Sequence, residues 1–195
     1  MVLSSRVQSS MIRSCTDRSS VPSPARSRLG WALAVVTAAG ALAAPAQAAP
    51  EKAAIFGVEL FDPGVVGGRK ARPDEVRRLG LVTDELRKAL GDSVEPVDVA
   101  PQAAEIAKQA PLYKCDGCAA AIAKTLGADL AVSGYVEKGS NQIFNLTVTI
   151  AESATGKVIR GGRVVIRADT DDTWAHAMRW VVKNRILAEP LPNRS

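Results

Sequence analysis

The stretch Leu130–Arg167, LAVSGYVEKGSNQIFNLTVTIAESATGKVIRGGRVVIR, decides the fold class. Phe144, Leu146, Val148 and Ile150 alternate with Asn145, Thr147 and Thr149. A period of two residues puts one set of side chains in a core and the other toward water, which is a half-buried strand. Leu130–Val136 reads as the strand before it, with Gly139-Ser140-Asn141 as the turn between them. Ala154-Thr155-Gly156 is a hairpin turn into Val158–Ile166, where Gly161-Gly162 is expected to make a bulge or bend. Three strands joined by short turns form an antiparallel meander with one apolar face that helices must cover.

Upstream, Ala53–Phe61 (AAIFGVELF) is a nearly continuous apolar run and reads as one strand buried on both faces. Asp62–Arg72 reads as a long loop. Pro73-Asp74-Glu75 opens a helix with acids in its first turn, an apolar stripe at Leu79, Val82, Leu86, Ala89 and Leu90, and Gly91 as its stop. Val94–Val99 is a short strand, which Pro96 either makes an edge or confines to Val97–Val99. Pro101–Gln109 reads as a short helix ended by Pro111, and Asp116 is placed to cap a helix running to Leu126, with Gly127 as the stop. Thr170 caps the last helix, with Asp171 and Asp172 in its first turn and Trp174, Ala177, Met178 and Val181 as its buried stripe. This order predicts an α+β domain: a single mixed sheet of about four to five strands, meander included, with helices packed on it.

The amino-terminal part has a different character. Arg6, Arg13, Arg18, Arg26 and Arg28 precede an uncharged run from Trp31 to Ala44, and Ala46-Gln47-Ala48 follows. A basic stretch, a short apolar run and a small-x-small site describe a secretory signal peptide cleaved near Ala48-Ala49. The apolar run is shorter than the ~20 residues of a spanning helix. No stable membrane insertion is therefore expected after cleavage. The expected organisation is a cleaved signal peptide at 1–48, a single periplasmic domain at 49–190 and a loose tail at 191–195. The protein is expected to be periplasmic or secreted.

Export changes the charge balance. The chain carries 25 basic and 20 acidic residues, and residues 1–48 hold five of the arginines and one acid, Asp17. The remainder is nearly neutral, so a basic field for nucleic acid is not expected. Aromatic residues make up only 4%, too few for a base-stacking platform.

Cys15 leaves with the leader, and Cys115-Asp116-Gly117-Cys118 remains. Two cysteines in an exported chain favour a Cys115–Cys118 disulfide. Its role has two readings, a structural bridge or a redox pair at a helix N-terminus, where the dipole lowers a thiol pKa. A zinc site would need four ligands, and two cysteines plus His176, the only histidine, fall short, so no metal is expected. The Asp62–Arg72 loop lacks G-x-x-x-x-G-K-[ST], so no phosphate cradle and no cofactor is expected. The densest polar chemistry is Arg167 with Thr170, Asp171, Asp172 and Trp174. It reads either as a partner-contact patch around Trp174 or as a helix cap followed by a core tryptophan. Arg167 is expected to pair locally with Asp169 and Asp171.

Three segments resemble the amino-terminal domain of TolB and the related CsgG and LpoB domains. They are Ala54–Leu60, Leu81–Leu90 with its L-T-x-x-L-x-x-A-L-like pattern, and Leu126-Gly127-Ala128-Asp129 with Val132-Ser133-Gly134 and the Ala154–Lys157 turn. A further resemblance is to an uncharacterised family of secreted bacterial proteins. It rests on Cys115-x-x-Cys118, Leu126–Asp129, Val136–Asn141, Thr155-Gly156-Lys157 and Arg167 through Thr170-Asp171-Asp172-Thr173-Trp174. Ala168-Asp169 stands where that family tends to have Gly-Asn. The resemblance implies a TolB-N/CsgG-like sheet and a non-enzymatic accessory protein that contacts another envelope protein or a small ligand. It leaves two alternatives: a thiol–disulfide accessory protein linked to a periplasmic quinoprotein dehydrogenase system, and a small-solute binder with its pocket beneath the Asp62–Arg72 loop.

Overall fold

The computed structural model describes residues 49–63 and 71–191. Residues 1–48, where the signal peptide is expected, residues 64–70 of the expected Asp62–Arg72 loop and residues 192–195 of the expected tail lie outside the described residues. In chain order the elements are β1 (Lys52–Ile55), β2 (Glu59–Phe61), α1 (Pro73–Leu90), β3 (Glu95–Val97), α2 (Ala103–Gln109), α3 (Cys118–Thr125), β4 (Leu130–Lys138), β5 (Ile143–Glu152), β6 (Val158–Arg167) and α4 (Asp171–Val181). A π-helical turn, Val182–Ile186, continues α4. The strands form one sheet in the order β3-β1-β4-β5-β6, with β2 also paired to β4. β1, β2 and β3 run parallel to their neighbours, and β4–β5–β6 is the antiparallel meander. The protein is α+β with a mixed sheet, as its sequence predicts.

Two apolar layers hold the sheet. On one face α1 supplies Val82, Leu86 and Leu90, and α4 supplies Trp174, Met178 and Val181. They meet Phe144, Leu146, Val148 and Ile150, the alternating set of β5, all fully buried. On the other face α3 and the Leu112 turn cover Ala54, Phe56 and Ala131 with Leu112, Ala120, Ile122 and Ala123. Side chains of β5 and β6 on that face stay in contact with water: Asn145 and Thr149 are half-buried, and Arg163, Val165 and Arg167 are exposed.

Several local expectations give way to tertiary contacts. Ala53–Phe61 is two strands, because β2 is shifted against β4 by one residue relative to β1: Ile55 faces Val132, but Glu59 faces Tyr135. The extra residue lies in Phe56-Gly57-Val58, and the Val58 N–H donates to Thr83 Oγ1 of α1 at 2.9 Å. Asp116 does not cap α3; the N-cap is Gly117, at φ 79°, and no side chain bonds to that end among the described residues. Gly91 ends α1 in right-handed backbone, whereas Gly127 supplies the left-handed stop expected after α3. Gly161 and Gly162 pair regularly with Thr149 and Val148; the bulge is at Ile159, between Arg160 opposite Ile150 and Val158 opposite Ala151. Gly162 has another purpose. A Cβ there would stand 2.7 Å from both Val181 Cγ2 and Arg185 Cβ, so α4 and its π turn approach β6 as closely as they do only because this position has no side chain. At the carboxyl end Leu191 packs on the core, and Arg160 Nη1 and Nη2 reach the carbonyls of Ile159 and Pro190.

A polar contact joins the start of α1 to the end of β4. Glu75 is 3% exposed. Its Oε2 accepts the Arg72 N–H at 2.8 Å and its Oε1 accepts Lys138 Nζ at 2.7 Å. Burial pushes the Glu75 carboxyl up, but the Lys138 hydrogen bond, the Arg72 backbone donor and the charges of Lys138 and Arg72 together hold it below its ordinary value. A carboxyl lowered by folding adds stability that is fully present above the ordinary glutamate range and is lost as pH falls through the folded value.

Two outcomes are expected. Gly162→Ala lowers stability by about 1–3 kcal/mol, because the new methyl forces α4 away from β6; urea midpoints at constant m measure this. Glu75→Ala leaves the nearly buried Lys138 ammonium to the Asp62 carboxylate, 3.9 Å away, and costs about 3 kcal/mol at neutral pH. Repeating that comparison in acid shows the difference between the two proteins shrinking.

Candidate functional site

Two polar clusters surround α4. The first joins its N-terminus to α1. Thr170 Oγ1 accepts the Thr173 N–H at 3.3 Å, and Thr173 Oγ1 accepts the Thr170 N–H, a reciprocal cap. Asp169 and Asp171 are then claimed by arginines more than ninety positions upstream. Arg78, 11% exposed, reaches Asp169 Oδ1 at 2.9 Å, Asp171 Oδ1 at 3.0 Å and Asp74 Oδ2 at 3.1 Å. Arg77 forks onto both oxygens of Asp171, and Arg72 reaches Asp169 at 3.2 Å. The hydrogen bonds from Arg77, opposed by burial and reinforced by Arg78, hold the Asp171 carboxyl below the usual carboxylate range. The same bond raises the Arg77 guanidinium. The expected local pairing of Arg167 with Asp169 and Asp171 is not formed. Helix α4 lies beside α1, so the α1 arginines reach these acids, and Arg167 makes no ion pair among the described residues.

The second cluster is a groove between the free edge of β6 and the flank of α4. Its cavity is about 610 Å³. The strand side is Val164–Arg167, and the helix side includes Asp172, His176, Ala177 and Trp180. Val165 is 50% exposed and Trp180 37%. Arg185 stacks over the Trp180 ring, 5.6 Å from its centroid. Arg179 is held by Glu85 at 3.2 Å.

The predicted contact patch therefore divides. Arg167 and Asp172 line the groove. Thr170 and Asp171 are occupied by capping and by the ion-pair cluster. Trp174 is fully buried, 5.0 Å from the Phe144 ring, with no hydrogen-bond partner for its Nε1. It is the core tryptophan of the two readings. Among the described residues the indole at the surface is Trp180, which was not among the expected contact residues. It lies outside the 174–177–178–181 stripe, and an aromatic off the apolar stripe of an amphipathic helix was the available signal.

Cys115 and Cys118 form a disulfide, with Cα atoms 5.6 Å apart. Cys118 is the first residue of α3 and packs, partly buried, on the second apolar layer. Leu112 and Tyr113, in the turn ahead of the disulfide, donate their N–H groups to the two carboxylate oxygens of Glu59 at 2.9 and 3.1 Å. His176 lies in the groove, apart from both cysteines in the fold. Among the described residues no group of three or more histidine, cysteine, aspartate or glutamate side chains is gathered to hold a metal, and no helix is long and apolar enough to cross a membrane. The pocket expected beneath the Asp62–Arg72 loop involves residues 64–70, outside the described residues.

No curated protein matches the sequence. Among solved structures, the chain is similar to the LpoB C-terminal domain from Salmonella enterica, with 20% identity and a TM-score of 0.44 over 64% of this chain and 87% of that one. It is similar to the PelC dodecamer from Paraburkholderia phytofirmans, with 16% identity and a TM-score of 0.42 over 77% and 94%. It is also similar to lipoprotein GNA1162 from Neisseria meningitidis, with 14% identity and a TM-score of 0.46 over 73% and 100%. Residues 51–186 match the family model DUF3280, described as "Protein of unknown function (DUF2380)". That span carries the sheet, all four described helices and the disulfide, and the chain belongs to this DUF3280 family.

Proposed function

We propose that this protein is an exported, non-enzymatic binding protein of the bacterial envelope, and that its partner is another envelope protein. The β6–α4 groove carries the reading. It combines an exposed tryptophan and unpaired polar groups with the edge strand at Val165, whose exposed side chain stands on the opposite sheet face at the groove's rim, the mixture typical of a protein-contact surface. The leader supports the location: five arginines, an uncharged run and Ala46-Gln47-Ala48 in sequence. In this reading Arg167 and Asp172 serve as groove contacts, and Cys115–Cys118 is a staple between the Leu112 turn and α3.

A photoreactive phenylalanine analogue placed at Val165, at the rim of the groove, or at Lys108 on α2, tests the surface. Crosslinking in the native envelope is expected to join the Val165 position to one envelope protein identified by mass spectrometry, with no such adduct from Lys108. Equal adducts from both positions, or none from Val165, would remove the reading. For the disulfide, the Cys115→Ser/Cys118→Ser protein is expected to lose about 2 kcal/mol, the loop-closure entropy of so short a ring. It should keep the Val165 crosslink. Loss of the adduct with the fold intact would instead support the redox alternative.

A further inference from the structure

We infer that the groove binds its partner as an added strand: an acidic, extended segment of the partner pairs with the free edge of β6 beneath α4. This rests on the reading of the groove as the binding surface and specifies the chemistry of what enters it.

The sheet has two edges, and they differ. On one side β3 is three residues long and contains Pro96, which cannot donate to a ladder, and β2, which pairs only with β4, is also three residues long. β6 is ten residues long and has no proline. In an antiparallel ladder the directly opposed pairs alternate between bonded and non-bonded. The Ala168 N–H bonds the Gln142 carbonyl, its direct opposite, at 2.9 Å. The bonded pairs therefore continue at Phe144–Ile166 and Leu146–Val164. The N–H and C=O groups of Gly161, Arg163, Val165 and Arg167 consequently point away from β5, and they meet no backbone partner among the described residues. Two of those four residues, Val165 and Arg167, line the groove. An added strand lies about 4.8 Å from β6. Its alternate side chains would face Ala177 and Trp180 on one side and Arg163 and Arg167 on the other. Main-chain pairing supplies affinity and the two rows of side chains supply selectivity.

Charge chooses the occupant. β6 carries Arg160, Arg163 and Arg167 and no acid. The α4 end and its π turn add Lys183 and Arg185, and also Arg179, which Glu85 holds at 3.2 Å, against Asp172 in the groove. Glu137 and Glu189 engage Arg163 and Arg160, and Arg167 is left without an ion pair among the described residues. A second copy pairing through the same edge would bring two such arginine rows together, and like charges on facing strands repel. An acidic strand meets the same arginines favourably.

The test uses a fluorescein-labelled ten-residue peptide of alternating valine and glutamate, and a control with lysine in place of glutamate. At low salt the acidic peptide is expected to bind purified protein at least tenfold more tightly than the lysine peptide, by anisotropy. Hydrogen exchange should show the Val165 and Arg167 amides fast in the free protein and slowed by the acidic peptide, with Val164 and Ile166 slow in both. Val165→Pro removes an outward donor at an exposed position, and Arg167→Glu reverses the charge. Each should weaken binding tenfold or more while circular dichroism stays unchanged. Should Val165→Pro unfold the protein, Arg167→Glu and the exchange pattern decide. No binding of the acidic peptide, equal binding of the lysine peptide, or binding without protection of Val165 and Arg167 would overturn the inference. A Val165 crosslink to an envelope protein alongside such a result leaves the binding-protein reading standing. Loss of both removes both.

Discussion

Helix α4 and its π turn lie on the meander at a distance set by Gly162, where a single methyl would press on Val181 and Arg185 at 2.7 Å. That close approach seals the apolar face of β5. It buries Trp174 against Phe144 and places Val182 and Ile186 in the same layer. It also leaves the opposite flank of α4 overhanging the β6 edge. The groove is thus a by-product of core packing: a helix wide enough to cover β5 and β6 projects past the last strand. Its floor is the backbone of an edge strand and its wall a helix flank.

The orientation of α4 is set at its other end by charge. Arg72, Arg77 and Arg78 on and before α1 hold Asp169 and Asp171 at the entrance to α4, with distances of 2.9 to 3.2 Å for the contacts through Arg72 and Arg78. Exposed pairs of this kind contribute little singly. Arg78 is different, because one nearly buried guanidinium serves three carboxylates and its donors have no alternative in water. Glu75 and Lys138 continue the polar seam to the end of β4. The two helices on this face are therefore located relative to each other by apolar burial along their length and by ion pairs at their beginnings. Asp171, one of the two acids expected in a contact patch, is consumed in that seam, whereas Asp172 stays in the groove.

What remains for binding is the surface that neither layer covers. The second layer, built on α3 and the Leu112 turn, closes only the β1 and β4 side of the sheet. β6 is left as an edge with arginines along it, which resist self-association and still leave hydrogen-bonding groups unpaired.

The features that depend on near neighbours are legible in the order of residues. The alternation of Phe144 to Ile150 is an i,i+2 pattern, the stripes of α1 and α4 are i,i+3 and i,i+4 patterns, and the Thr170 cap and the Gly127 stop need only adjacent backbone. Each was legible because its physics is local. Tertiary structure decided the rest. Whether Ala53–Phe61 is one strand or two depends on its register with β4, and the role of Gly162 depends on a helix that follows it. Arg167 lost Asp169 and Asp171 to arginines ninety residues away, since ion pairs form between whatever side chains packing brings within about 4 Å. That Trp180 and the outer edge of β6 share a groove has no local signature at all: it follows from which strand ends the sheet and which helix flank overhangs it, and only the folded chain fixes those two facts together.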